Sequence, residues 1–356
     1  MSNNIIIHIC SDNKGGTEKY VHDLINLFPN YKHIVHHNIP FIVNNINEVI
    51  LIHIHATFFE SNIEWEVLDM LSHIQKNASK KIQVYLTIHD YQWLFDNKAL
   101  YTIIDNNEDA LKYYQTYNKS NIIQLFDKVD RIFIPTQRVF DIYKYYMNND
   151  LTLTYMNKMH IVPHSDIFIR NEQLYIPQIQ TNNVIHIAFV GQFNEYKGGK
   201  LFLDLIYNLL TYKNYKIEYH IFGKHSPSEN DDNLKHYVHF HGKYKNSNLI
   251  QDLYDNNIHI LTSLSIFDET YCYALSLLIN SGLPIVYLNR GALMTRLSSN
   301  YPRMFPIEDI LYKNIESAVI KAIEYVINNQ GRKDLITISN ELILNNEYKN
   351  LYLPEQ

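Results

Sequence analysis

Cysteine is nearly absent from this 356-residue chain. Cys10 and Cys272 are its only two and lie far apart in sequence, so no disulfide framework is written and a reducing compartment, the cytoplasm, is the expected home. Long apolar runs are missing as well. No stretch reaches the roughly 20 apolar residues a membrane helix needs. The apolar start at residues 5–10 lacks a basic lead and runs into Ser11-Asp12-Asn13-Lys14, which reads as a strand rather than a signal peptide. Nor is there an excess of positive charge. Lys and Arg number 31 against 37 Asp and Glu, a net charge of −6, which argues against a chain that works by neutralising phosphates along a nucleic acid. Glycine is scarce at 10 residues beside 29 Tyr and 16 Phe; with the runs of Asn and Ile, this reads as base-composition bias and carries no function.

What is present is enough apolar surface for large cores: 46% hydrophobic against 19% charged residues excludes disorder for most of the chain. The length suits two domains of about 100–200 residues each. Short apolar runs alternate with longer amphipathic stretches, the pattern of repeated βα units around a mostly parallel sheet. In the first half, strands are expected at 5–10, 49–54, 82–88, 131–135 and 160–163, with helices at 17–28, 63–75 and 137–146. Pro177 and weak periodicity mark 166–183 as a linker. A second series begins with the strand 184–190 and a helix over about 198–210. It continues with strands at 217–222, 238–240, 259–262 and 284–288 and helices near 247–254 and 271–280. Helices around 315–327 and 334–344 follow. The expected domains are therefore 1–165 and 184–335, joined by 166–183, with 336–356 a helix and tail that can return to the first domain. Two doubly wound domains facing each other would set their strand C-terminal ends on a shared cleft, where open α/β sheets bind ligands.

Three loops at such strand ends stand out. Gly15-Gly16-Thr17 follows the first strand and enters a helix; paired glycines admit a ligand close to the backbone, and a helix N-terminus offers N–H groups to an anion, although a tight βα turn explains them equally well. Neither Gly-x-x-x-x-Gly-Lys nor Gly-x-Gly-x-x-Gly is present. Gly191-Gln192-Phe193-Asn194-Glu195-Tyr196-Lys197-Gly198-Gly199 sets a lysine at a helix mouth, suited to a diphosphate through point charge and backbone N–H groups together; alone it reads more readily as a solvated loop. Phe267-Asp268-Glu269-Thr270-Tyr271-Cys272 leads into an apolar helix that stops at Gly282, followed by Pro284 and a buried strand. A carboxylate there either caps the helix or accepts hydrogen bonds from ligand hydroxyls.

In this order these pieces resemble the retaining glycosyltransferases of the two-Rossmann-domain GT-B type, specifically the large fourth family of sugar-nucleotide-dependent enzymes and within it the surface-polysaccharide subgroup. Residues 268–286 resemble that family's Pro-Glu-Thr-Tyr-Ser-Tyr-x-Leu-Ser-Glu-Ala-x-x-x-Gly-Leu-Pro-Val signature. Residues 191–198 resemble its Gly-x-x-x-x-x-Lys-Gly element, Gly15-Gly16 its first-domain glycine pair, Leu86-Thr87-Ile88-His89-Asp90 its Thr-x-His-Asp strand end, and Val162-Pro163-His164 its Val-Pro-Asn. The similarity runs from residue 5 to about 300.

The resemblance implies an α/β GT-B fold and a metal-independent transfer, with retention, from a UDP- or GDP-linked sugar to a hydroxyl of a glycan or other acceptor. It implies that Gly15, Gly16 and Lys197 contact the donor diphosphate, with Gln192 beside them, and Glu269 the sugar hydroxyls. Backbone groups at Thr270, Tyr271 and Cys272 would line the phosphates. His89 would face the transferred sugar, and Gly223 and Tyr244 would flank the base. Glu269, Lys197 and His89 are thus the expected catalytic residues, with no separate cofactor. Two departures matter: Leu277 stands where the family carries a second glutamate that holds the ribose, and Cys272 where it commonly has glycine. Leu277 feeds the alternative of a catalytically degenerate nucleotide-sugar-binding protein; a sugar-nucleotide epimerase is the other. No nucleic-acid partner is expected, and membrane contact would be peripheral. The pairs His53-x-His55 and His239-x-His241 can each aim two imidazoles at one strand face and so begin a metal site, yet no third ligand follows at a suitable spacing, and no metal is expected. Trp65 and Trp93 read as packing residues.

Overall fold

Strands form in this chain where apolar, often β-branched, residues run together and can be covered on both faces, as a parallel sheet requires. The structure, a computed structural model, describes residues 4–10, 15–37, 46–55, 63–91, 93–95, 111–112, 114–164, 172–224, 236–297, 301, 303–331, 333–336 and 350–352. The chain divides into two units: residues 1–167 with 341–356, and residues 168–340.

In the first unit, β1 (Ile5–Ile9), buried throughout, leads to α1 (Gly16–Leu27), β2 (Lys32–His36) and β3 (Val49–Ile54). Next come α2 (Ile63–Asn77), β4 (Gln83–Thr87), α3 (Lys119–Lys128) and β5 (Arg131–Ile134). The series ends with α4 (Gln137–Tyr146), α5 (Leu153–Lys158) and β6 (Met159–Ile161). Thr136 starts α4 by accepting a hydrogen bond from the Val139 amide on its hydroxyl. All six strands are parallel in the order β2-β1-β3-β4-β5-β6, so the connection reverses between β1 and β3. Val67, Leu71, Ile122, Phe126 and Val139 pack from the helices onto the buried strand residues. Tyr352, fully buried, closes part of this core: its ring stacks on Phe28 at 4.7 Å and its hydroxyl lies 2.8 Å from His53 Nδ1.

The second unit contains β7 (Glu172–Tyr175), β8 (Val184–Val190), α6 (Gly199–Asn208), β9 (Thr211–Tyr212) and β10 (Tyr215–Phe222). β11 (Val238–Gly242), α7 (Leu249–Asp255), β12 (Ile260–Ser263), α8 (Tyr273–Ser281) and β13 (Ile285–Leu288) follow. α9 (Gly291–Leu297), β14 (Met304–Ile307), α10 (Tyr312–Asn329) and β15 (Lys333–Ile336) complete it. The main sheet runs β11-β10-β8-β12-β13-β14 in parallel, with β9 antiparallel on β10. Taken in chain order without β9, this is the 3-2-1-4-5-6 winding of dinucleotide-binding folds, with its switch point between β8 and β12.

The segment expected to be helical from residue 334 instead forms β15, which pairs antiparallel with β7. β7 itself lies inside the stretch expected to be a linker. Each supplies the hydrogen bonds the other's backbone would lack, a pairing that local periodicity does not report. Of that expected helix, residues 337–344 lie outside the described residues, as does Pro177's preceding stretch 165–171. Among the described residues no helix is long and apolar enough to cross a membrane.

Candidate functional site

The switch point of the second unit is where its two charged loops meet. The loop after β8 turns back at Gly198, which takes φ +82° and whose missing Cβ would fall 2.1 Å from the Leu264 carbonyl oxygen; only glycine lets these two loops touch. Asn194 accepts the Lys197 amide on its side-chain oxygen at 2.9 Å and fixes the turn. The Ile266 amide donates to the Tyr196 carbonyl at 3.0 Å, so the loops after β8 and β12 are tied backbone to backbone.

This junction delivers Lys197 to Glu269. The Lys197 ammonium donates to Glu269 Oε1 in a short ion pair, and Ser265 donates its hydroxyl to the same oxygen at 3.0 Å. Glu269 is buried, whereas the lysine side chain keeps about a third of its surface open and lies 4.7 Å from the Phe267 ring centroid. Burial pulls the lysine pKa down, but Glu269, with Cys272 and Tyr244 nearby, outweighs it and holds the ammonium above the ordinary lysine range. The lysine therefore stays charged at neutral pH. One partly exposed cation against one buried anion gives the site a group for phosphate and a group for hydroxyls side by side.

Three residues without motif status hold the Glu269 loop in place. Arg296, buried on α9, donates from Nη1 to the Tyr271 and Cys272 carbonyls, both at 2.9 Å, and from Nη2 to the Ser276 hydroxyl at 2.6 Å; its guanidinium stacks 4.0 Å over the Tyr271 ring. Arg290 donates to the Ile266 carbonyl and lies 3.7 Å from the Asp268 carboxylate. Gly291, at φ +57°, sits so close that a Cβ would approach the Glu269 amide nitrogen to 2.6 Å, and the Ala292 amide donates to the Glu269 carbonyl at 2.8 Å. Sequence inspection passed over Arg296. A signal was there: a lone arginine in Gly-Ala-Leu-Met-Thr-Arg-Leu must find buried acceptors, and the acceptors are this loop's carbonyls.

The other expected donor residues fall as follows. Thr270, Tyr271 and Cys272 run along the Glu269 loop into α8, and Cys272 takes the left-handed conformation, φ 66°, which accounts for the glycine usual at that position in the resembled family. Burial, then Glu269, pushes its thiol up to about 12, so it is a neutral group and not a nucleophile. Gln192 is exposed on the loop after β8 and Gly223 buried at the end of β10. Tyr244 lines a cavity of about 330 Å³ with Phe222, His241, Asn248, Asp252 and Asn256. Leu277 is packed against the apolar cluster of Leu275, Leu278 and Ile279; its side chain offers no acceptor to a ribose.

In the first unit, Gly15 precedes α1 in extended backbone, and a Cβ there would meet nothing within 4 Å, so no contact among the described residues demands glycine. Gly16 opens α1; Ser11 to Lys14 lie outside the described residues. His89 follows β4, its ring centroid 5.1 Å from those of Tyr20 and His164. Burial lowers its imidazole to about 3, leaving it neutral. The sheet also gathers what spacing did not reveal: β1 brings His8 beside His53 of β3 and His55 just past its end. Trp93 is buried in the core, as packing predicts; the Trp65 side chain lies outside the described residues.

No family model matches the chain, and no curated protein matches it in sequence. Solved structures do match in fold. HepE of Anabaena, in complex with UDP and glucose, aligns with a TM-score of 0.59 at 12% identity over 97% of this chain and 95% of that one. WaaG, a glycosyltransferase involved in lipopolysaccharide biosynthesis, aligns at 0.56 and 11% identity over 90% of each chain. The catalytic domain of starch synthase IV from Arabidopsis thaliana, bound to ADP and acarbose, aligns at 0.58 and 9% identity over 98% of each. The fold is thus α/β of the GT-B glycosyltransferase type, built from two doubly wound Rossmann-like units.

Proposed function

We propose that this chain is a retaining glycosyltransferase that moves a sugar from a nucleoside-diphosphate sugar, UDP- or GDP-linked, to a hydroxyl of a glycan or another acceptor. The observation that carries the proposal is the ion pair of Lys197 and Glu269 at the switch point of the second sheet, on a fold shared with transferases whose structures hold UDP or ADP. In this reading the Lys197 ammonium and the N-terminal amides of α6 and α8 take the negative charge that grows on the leaving diphosphate. Glu269 exchanges part of its bond to Lys197 for hydroxyls of the donor sugar. The carbon–oxygen bond to the diphosphate breaks as the acceptor oxygen bonds to the anomeric carbon on the same face, and the departing phosphate oxygen takes the acceptor proton. No side chain acts as an acid, and the transfer itself requires no divalent metal. His89 positions the sugar as a neutral imidazole. In this reading the cavity beside Tyr244 and His241 receives the base, and Asn248 and Asp252, which line it, meet the ribose hydroxyls that Leu277 cannot.

The test is nucleoside-diphosphate release across UDP-, GDP-, dTDP- and ADP-linked sugars, with Glu269→Ala alongside, product anomer by NMR, and a chelator added in parallel. Release from one donor, lost in the variant, with a retained anomer and no demand for added divalent metal, supports the reading. An inverted anomer, or donor turnover to an isomeric sugar nucleotide without acceptor, overturns it. Tight donor binding without turnover over a full acceptor panel would mean a degenerate binding protein, the outcome that Leu277 makes worth testing.

A further inference from the structure

The centre of the first unit's sheet carries imidazoles where a doubly wound fold ordinarily carries aliphatic side chains. His8 on β1 is in register with His53 on β3, and His55 follows just past the end of β3, its amide donating to the Ile9 carbonyl at 2.8 Å. All three are buried, at 0 to 2% exposure. One ring nitrogen from each lies within 4.8 Å of the others, and among the described residues this is the one group of three or more His, Cys, Asp or Glu brought together in that way.

The protons of the cluster can be followed from a single backbone carbonyl. His33 Nε2 lies 2.9 Å from the Phe28 carbonyl oxygen, which can only accept, so this nitrogen carries the hydrogen and Nδ1 of the neutral ring does not. His33 Nδ1 is 3.0 Å from His8 Nε2, which must therefore donate. His8 is left with a bare lone pair on Nδ1, aimed at His55 Nε2 at 3.0 Å. His53, for its part, has hydroxyl partners on both nitrogens, Thr87 at 2.7 Å and Tyr352 at 2.8 Å; one nitrogen can keep its hydrogen and donate to its hydroxyl while the other exchanges its hydroxyl for the ion. This is the outer support that metal-bound imidazoles need: the remote nitrogen is tied, and the tautomer is set from outside the site.

We infer that His8, His53 and His55 bind one zinc ion in the first unit, His8 through Nδ1 and His55 through Nε2. Two histidines at i and i+2, one on β3 and one just past its end, and a third on the neighbouring β1 supply three neutral nitrogen ligands, a donor set that suits zinc. Bonds of about 2.0–2.1 Å in tetrahedral geometry require nitrogens about 3.3 Å apart, close to the 3.0 Å that already separates His8 from His55. The fourth position falls to water or a nearby hydroxyl. The ion replaces the hydrogen between His8 and His55. That hydrogen is not lost: His55 becomes the Nδ1–H tautomer and donates to His89 Nε2, now 3.5 Å away, while the His89 hydrogen moves from Nε2 to Nδ1. No proton leaves the protein and all four rings stay neutral. Zinc thereby ties β1 to β3 across the switch point and decides which nitrogen of His89 is the donor. The inference meets the transfer reading only at His89, and its test reads metal uptake and imidazole spectra rather than transfer, so the failure of one is distinguishable from the failure of the other.

The test uses the full chain, prepared without chelators and then titrated with zinc, with cobalt(II) as the visible reporter. About one metal per chain is expected, with d–d bands of a four-coordinate nitrogen-ligated cobalt, lost in His8→Phe and in His55→Phe but kept in His220→Phe of the other unit. His33→Phe, which frees the His8 tautomer, is expected to weaken zinc binding roughly 10–100-fold. If the ligand variants do not fold, histidine-selective 15N spectra of the wild-type chain decide: zinc must shift His8 Nδ1 and His55 Nε2 and exchange the tautomers of His55 and His89. A folded wild type that takes up neither metal, binding that survives in folded His8→Phe and His55→Phe, binding lost with His220→Phe instead, or spectra unmoved by zinc would each overturn the inference.

Discussion

The two sheets share a winding logic and fill their switch points with opposite chemistry. In the second unit the reversal between β8 and β12 carries opposite charges in contact, Lys197 and Glu269, held by Arg290, Arg296 and Gly291. In the first unit the reversal between β1 and β3 carries uncharged imidazoles, with His8 lowered to about 3 and His53 and His55 held well below the ordinary histidine range by burial first and by one another second. The difference teaches that topology chooses where a ligand site lies and side chains choose what it takes. Charge at one switch point suits a diphosphate and hydroxyls; neutral nitrogen at the other suits a soft-to-borderline cation or a hydrogen-bond chain.

The comparison breaks most visibly if the charged side is neutralised. Lys197→Ala and Glu269→Ala are each expected to lower nucleoside-diphosphate release about 100- to 1000-fold, while His33→Phe in the other unit leaves that pair untouched and should change release far less.

Arg296→Leu tests whether the charged site depends on its support. It strips donors from two buried carbonyls and the Ser276 hydroxyl, so the second unit should lose about 3 kcal/mol in urea unfolding, and donor affinity should fall with it.

Acid should act on both units, through His8, His53 and His55 in the first and His186, His220, His241 and His259 in the second, by a smaller amount per residue. Folded-state pKa values below the ordinary 6.5 mean that the unfolded chain binds more protons between that value and about 3, so stability falls as pH falls through this window. For His8 the loss at pH 5 is at most about 2 kcal/mol, with His53 and His55 acting in the same direction. The shift of Lys197 runs the other way, upward, and its contribution is lost only as pH rises above the ordinary lysine value. Thermal unfolding between pH 7 and pH 5, with and without zinc, reads this out; bound zinc should blunt the loss in the first unit.

The mildest expected change is Cys272→Gly. Removing a side chain from φ 66° relieves about 1 kcal/mol of strain against some lost packing, so the melting temperature should move little, and the Glu269 loop should keep its shape and nucleoside-diphosphate release its rate.

Elements enclosed by buried runs were legible in the sequence. β3, β8 and α4 have the bounds their apolar pattern predicts. What escaped was made elsewhere in the chain. Lys-His-Ile-Val-His is polar at every other end yet becomes β2, because β1 offers it a ladder. Met-Phe-Pro-Ile becomes β14 because Pro306 sits on the outermost strand, where its missing N–H costs nothing. Lys197 and Glu269 were recognisable as loop residues, but 72 positions separate them and only the β8–β12 pairing makes them neighbours. Arg296 and His8 belong to no spacing pattern at all, since each acts across a strand or helix gap.

Tyr352 sets an order of events on the ribosome. Its phenol seals the face of the first sheet at Phe28 and His53, 299 positions away from the latter, and it is synthesised only after the whole of residues 168–340. The earliest-made half of the protein therefore leaves the exit tunnel with an open flank and waits while the second half is completed. A nonsense change that removes Tyr352 but leaves residues 168–340 intact would strike the first unit, whose other residues are encoded farther upstream, and spare the second.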